Sequence, residues 1–477
     1  MKKALFIILL ALLGASWAGA KVTLPSFFSD NMVLQRNSDV AIWGWTDSGS
    51  KITISTTWTG VKFTATPDKD GKWTATLQTP NAGGPYKITI SDGERLTLNN
   101  VLIGEVWFCS GQSNMEMTVG GYSGQPTQGS ADIIVDAKAS TPIRMCTITK
   151  KSSLTPVTEC EGSWKENTPD AVANTSATAY FFAKKLQEAL DIPVGILISC
   201  WGGSTIETWI DRETISGKFP GEFNLDFLDG KAEMPGVEYQ TPCTLFNGQV
   251  APLVPFTFKG MIWYQGEANR GRAEQYIRLQ KEYVEMMRRR FNNPDAPFYF
   301  VQIAPWPYNE PDGWTSGYFC EAQRKSLDVI PHSGMAATVD IGEYGTIHPG
   351  KKREVGSRLA YLALVNDYGI KGISPVSPTY DSVKFEDGKA FVQFKVDHRL
   401  LSPIDTDLGG FEIAGKDKVF HPADARISGW SGVVVVSSPV VPEPVAVRYC
   451  FRNWSVGTLF NNYGIPVGPF RTDDWDL

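Results

Sequence analysis

Between residues 101 and 372 apolar runs alternate with amphipathic ones, and this alternation restricts the fold more than any other feature of the chain. "VLIGEVWFC", "PVGILISCWGG", "FKGMIWYQGE", "PFYFVQIAP" and "SGMAATVD" read as buried strands. "SATAYFFAKKLQEAL", "AEQYIRLQKEYVEMMRRRF" and "PGKKREVGSRLAYLALV" carry the spacing of amphipathic helices. Strands and helices in alternation predict an α/β region built on a mainly parallel sheet. In such sheets functional residues gather on the loops that leave the carboxyl ends of the strands.

Four of these segments end an apolar strand on small, polar or charged residues: "FCSGQSNM", "ISCWGGSTIETW", "WYQGEAN" and "VDIGEYGTIHP". All four are expected at one edge of the sheet, where distant parts of the chain meet. The first offers Ser113 as a nucleophile, although not in a G-x-S-x-G elbow, since Met115 stands where the second glycine would be. A serine nucleophile needs a base, and the chain has only four histidines. His332 precedes a strand and belongs to the opposite edge, while His398 and His421 lie in a C-terminal β-rich stretch. His348 follows a strand and precedes Pro349, which is expected to open the next helix.

The flanking regions read differently. Residues 21–100 alternate apolar and polar residues, as in "KITISTTW" and "YKITISDG", with a hairpin expected at Asp70-Gly71, and form a β-sandwich-like module. Residues 373–477 return to β character, with a second hairpin at Asp387-Gly388. Residues 1–20 combine Lys2 and Lys3, an apolar run from Ala4 to Leu13 and Ala18-Gly19-Ala20, which is the pattern of a cleaved signal peptide. Its apolar run is too short to span a bilayer. An exported protein is therefore expected, periplasmic or extracellular, with no integral membrane segment after cleavage.

Net charge is −6 with no basic block, so nucleic acid is not an expected partner. The seven cysteines are odd in number and lack C-x-x-C spacing, which suggests neither a zinc site nor a redox pair. Cys109, Cys200 and Cys243 sit in apolar surroundings and read as small core residues. No metal motif is present, and no cofactor is expected.

The four strand-end blocks, with "IHPGKKREVGSRLA" extending the last, resemble those of SGNH-type hydrolases, specifically the sialate O-acetylesterase family. "LPSFFSDNMVLQ" and "TLFNNYGIPVGPFRTDDW" extend the resemblance over nearly the whole chain after the leader. It implies a three-layer SGNH-type esterase region over residues 101–372, flanked by the two β-rich modules. It also implies a secreted carbohydrate esterase that removes O-acetyl groups, with sialic acid as the first expected sugar. Acetylated xylan or another glycan is the alternative, and a catalytically impaired glycan-binding protein is the alternative of another class.

Carried onto this chain, the resemblance makes Ser113 the nucleophile and His348 the base. The backbone N–H groups of Ser113 and of Gly203, or else Gly202, and a side-chain amide, Gln265 or else Asn269, would form the oxyanion hole. Trp201, Glu207, Glu267 and Trp306 fall on the substrate-binding edge, the two glutamates as loop braces rather than proton carriers. Trp209 and Trp314 also flank the loops, and about half of the four tryptophans are expected to be core. The third triad member departs from the family pattern. The position three residues before the histidine, often Asp, is Gly345, and the next is Thr346. Asp340 is the first candidate and Glu343 the second, with a Ser–His dyad oriented by Thr346 or a backbone carbonyl as the alternative.

Overall fold

In the computed structural model, which describes residues 22–396, 400–401, 406–429 and 432–475, the apolar runs of the middle region pair side by side. The order across the sheet is Ser333–Ala336, Phe298–Val301, Gly260–Tyr264, Arg95–Gly111, Val194–Cys200, Ile143–Thr147 and Trp164–Glu166. All neighbours are parallel except the last, which is an antiparallel edge. The expected leader and His398 lie outside the described residues.

Successive residues of each strand pack on opposite faces, which is why these strands read as continuous apolar runs. Val106 and Phe108 join Trp263 and Phe300 on one face, under the helices Ala273–Arg290 and Thr315–Val329, which contribute Tyr283 and Phe319. Trp107 and Cys109 join Ile198 and Ile262 on the other, under Ala177–Leu190 and Lys352–Asn366, which contribute Phe182 and Leu359. Each such side chain taken fully out of water contributes about 2 kcal/mol before entropy is charged against it. The helix Ala177–Leu190 begins where the Ser176 hydroxyl accepts from Ala179 N–H, and it ends at Asp191 in the left-handed region.

Arg95–Gly111 is one 17-residue strand with two sets of partners. Its first half pairs antiparallel with Gly83–Ser91, and its second half enters the parallel sheet. The junction expected near residue 101 thus falls inside a continuous strand. Asp70-Gly71 does form a turn, with Gly71 at φ 76° and Asp68 Oδ1 accepting from Asp70 N–H. The strands it joins do not form a hairpin: Lys62–Ala65 pairs with Ile52–Thr56, and Lys72–Gln78 with Asp39–Trp45. At Asp387-Gly388 the expected hairpin is present, both residues having positive φ between Glu386 and Lys389. Among the described residues no helix is long and apolar enough to cross a membrane.

Candidate active site

Gly111, Cys200 and Tyr264 are register partners on three adjacent strands, so the loops that follow them leave the sheet at one level. The strand order also reverses around Arg95–Gly111, which is where open α/β sheets form a crevice. Gly111 has φ 143°, and a Cβ there would lie 2.1 Å from the carbonyl oxygen of Tyr264. Only glycine fits, and the chain turns at that point to present Ser113 at the start of the four-residue helix Ser113–Glu116. Ser113 is half-buried, and its hydroxyl bonds to no described group.

Side chains of the serine block stitch it to the other three loops. Glu116 Oε2 accepts from Gly202 N–H at 2.5 Å, and Oε1 accepts from Lys150 Nζ at 2.7 Å. Gly202 lies against the serine itself, since a Cβ there would be 3.3 Å from Ser113 Cβ. Gln112 Oε1 accepts from Gly266 and Ala268 N–H, while its amide nitrogen donates to no described group. Asn114 donates to Glu267 Oε1 at 2.7 Å and to the Ile347 carbonyl at 3.1 Å, and accepts from Lys352 Nζ at 2.5 Å. Sequence patterns alone did not mark Gln112, Asn114 or Lys352, because each acts through neighbours that are remote in the chain.

The backbone N–H groups of Ser113 and Gly203 have no described acceptor, and Gly203 has φ 75°. Both are free to meet a developing oxyanion. The side-chain amide expected beside them is otherwise engaged. Gln265 Nε2 donates to the Ser204 carbonyl at 3.0 Å and to Asn269 Oδ1 at 2.6 Å, which uses both of its protons. Asn269 Nδ2 donates to Glu207 Oε2 at 2.9 Å, and its Oδ1 also accepts from Ile206 N–H. Both amides are fully buried and hold the loop together instead of facing substrate.

Glu207 is likewise a brace: buried, it accepts from Arg272 at 2.6 Å as well as from Asn269. Glu267 sits beneath Asn114, where burial raises its carboxyl above the usual range. Glu267 Oε2 has no described partner but is buried, and Glu207 is fully engaged, so both glutamates brace the loops and neither faces a sugar as a substrate-binding group. Trp209 is wholly buried, and Trp314 is stacked beneath Arg452 at 3.6 Å and Arg448 at 4.5 Å. Trp201 is half-buried, stacked on Tyr239 beside the Gly202-Gly203 turn, and Trp306 is half-buried against Tyr308.

His348 is half-buried on the loop that follows the strand Ser333–Ala336. Pro349 does not open the next helix, which starts at Lys352. The Tyr122 ring meets the imidazole edge-on at 5.2 Å while its hydroxyl donates to the Ser113 carbonyl, so one side chain touches both members of the pair. Burial, and secondarily the nearby Lys352, lowers the imidazolium to about 4, which keeps His348 neutral and able to accept a proton at neutral pH.

Asp340 is not its partner. Both of its oxygens accept from Arg358, at 2.7 and 2.6 Å, so this carboxylate closes a structural ion pair. Glu343 Oε1 accepts from Gly350 N–H and pins the loop. The Nδ1 atom of His348 lies instead 2.6 Å from Gln125 Oε1, a contact with no counterpart in the sequence blocks. His332 bonds to Asp367 and the Asp295 carbonyl at the opposite edge of the sheet, beside a cavity of about 860 Å³ that the four loops do not reach.

Comparison with known proteins places the chain in a family. Residues 103–364, more than half of the chain, match the family model described as "Carbohydrate esterase, sialic acid-specific acetylesterase". Sialate O-acetylesterase of Mus musculus is 26% identical, over 92% of this chain and 91% of its own. The human protein of that name is 24% identical, over 77% of this chain and 75% of its own. The crystal structure of a carbohydrate acetylesterase from Xanthomonas citri superposes with a TM-score of 0.84 at 33% identity, covering 95% of this chain and all of that one. The chain belongs to the carbohydrate esterase family of sialic acid-specific acetylesterases.

Proposed function

We propose that the chain is a serine-dependent esterase of SGNH type, with a three-layer region flanked by two β-rich modules, that removes O-acetyl groups from sialic acid. In this mechanism Ser113 Oγ attacks the acetyl carbonyl while His348 Nε2 takes its proton. The N–H groups of Ser113 and Gly203 stabilise the tetrahedral oxyanion. His348 then gives the proton to the departing sugar oxygen, and the acyl-enzyme is released by water that His348 activates in turn. The observation that carries this mechanism is Tyr122, which bonds to the Ser113 carbonyl and meets the imidazole of a neutral His348 edge-on, while the Ser113 hydroxyl has no described partner.

Sialic acid is assigned because the family model and the curated mammalian relatives are described by it. One feature favours a neutral acetylated glycan instead, namely the engagement of the cations on these loops. Lys150 is held by Glu116, Arg272 by Glu207, Lys352 by Asn114, and Arg270 by Ser316 and Asn453. None of these four is free to pair with a sialate carboxylate, whereas Lys351, three residues beyond His348, has no described partner. Acetate release from O-acetylated sialic acid and from acetylated xylan, measured on the same preparation, decides between them. Higher kcat/KM on the sialic acid supports the first substrate, and higher kcat/KM on xylan the second. The amino-terminal leader supports export, which cell fractionation with detection of the cleaved chain would test.

A further inference from the structure

We propose that Gln125 is the positioning residue of the catalytic pair, its side-chain carbonyl holding His348 where an acid usually stands. This rests on the reading of His348 as the base of Ser113. The geometry comes from a short loop that no sequence block includes. Gln125 and Tyr122 exchange backbone hydrogen bonds at 2.9 and 3.0 Å, closing a tight turn. The turn is anchored to the histidine loop by Gln128 N–H, which donates to the Gly350 carbonyl at 2.9 Å. From this turn Gln125 Oε1 reaches His348 Nδ1 at 2.6 Å and accepts from Thr346 Oγ1 at 3.0 Å. Thr346 in turn accepts from the backbone N–H of His348 at 3.0 Å.

The chemical consequence lies in the tautomer. A carbonyl oxygen can only accept, so the proton of neutral His348 is held on Nδ1 and the lone pair is left on Nε2 for the serine. An amide does this without a net charge. The imidazolium formed during attack is therefore stabilised by a dipole, where an Asp would supply a full negative charge. The charged or titratable groups around the imidazole are Lys352, whose charge opposes protonation, Glu343, whose oxygen is bound to Gly350 N–H, and Tyr122. None of them provides a carboxylate against Nδ1. Gly345 is exposed with open space where a Cβ would be, so a side chain there is not what orients the ring.

The test compares wild type, Gln125→Ala, Gln125→Glu and His348→Ala on 4-nitrophenyl acetate across pH, with thermal melting of each. Gln125→Ala should lower kcat by about tenfold to a hundredfold with KM little changed. Gln125→Glu should recover most of kcat and move the acid limb of kcat/KM upward from about 4, because a carboxylate favours the imidazolium. A purely structural glutamine would not shift that limb. Folded Gln125 variants with wild-type kcat and an unmoved acid limb would overturn the proposal while His348→Ala stays inactive. Activity retained in His348→Ala would overturn the parent reading instead.

Discussion

Asn114 donates its side-chain amide to the carbonyl of Ile347, 3.1 Å away, so the residue after the serine is tied to the residue before the histidine. The same amide reaches Glu267, and its oxygen takes Lys352, which is fully buried and lowered to about 7 by that burial. One side chain thereby fixes three of the four loops against each other. Rate in such a site depends on distances held to a fraction of an ångström, so a structural tie has a kinetic signature.

Asn114→Ala is expected to lower kcat by about tenfold to a hundredfold, equivalent to about 1.4–2.8 kcal/mol of barrier, with KM little affected. Steady-state kinetics on 4-nitrophenyl acetate would check it. An unchanged kcat would show that the loops keep their places without this residue.

Asp340→Asn is expected to act on stability and leave chemistry alone. The Asp340 carboxylate is spent on Arg358, both side chains being largely buried, and loss of such a pair costs about 3 kcal/mol. Thermal melting should show a clear drop in Tm. The kcat of the folded protein should stay within about threefold of wild type, whereas a triad acid would cost far more.

The pH profile follows from His348. In the proposed mechanism His348 must be neutral to act as base, and its imidazolium is lowered from the ordinary 6.5 to about 4. Activity should thus persist as pH falls through 6 and drop only near 4, read as the acid limb of kcat/KM. The same shift means that the unfolded chain binds this proton more readily between those values. Its contribution to stability is present above 6.5 and is lost as pH falls towards 4.

Gly111→Ala is expected to be poorly tolerated. The new methyl would meet the Tyr264 carbonyl oxygen at 2.1 Å, on a backbone with φ 143°. A cost of about 2 kcal/mol or more is expected in denaturant unfolding, together with loss of activity from a displaced Ser113.

The alternation of apolar runs was enough to read the parallel sheet, because strands buried on both faces leave uninterrupted apolar stretches. It was also enough to bring Ser113, Gly203, Gln265 and His348 to one edge, since each follows the end of such a strand. Side-chain commitments were not legible. Gln265 and Asn269 look like free amides in the sequence, yet three-dimensional neighbours such as Ser204 and Glu207 absorb their donors. Asp340 sits where a strand ends, but its partner Arg358 is 18 residues away on a helix. Gln125 lies in a loop with no periodicity at all, and only folding shows that it faces His348. The turn at Asp70-Gly71 was legible as a turn, although turn chemistry does not say whether its two strands share a sheet.

The most direct test of the account is acetate release by wild type and Ser113→Ala from O-acetylated sialic acid and from acetylated xylan, with melting curves to establish that both are folded. Ser113→Ala should melt like wild type and lose activity by about 10⁴-fold or more on every ester. A folded Ser113→Ala that releases acetate at the wild-type rate would contradict it.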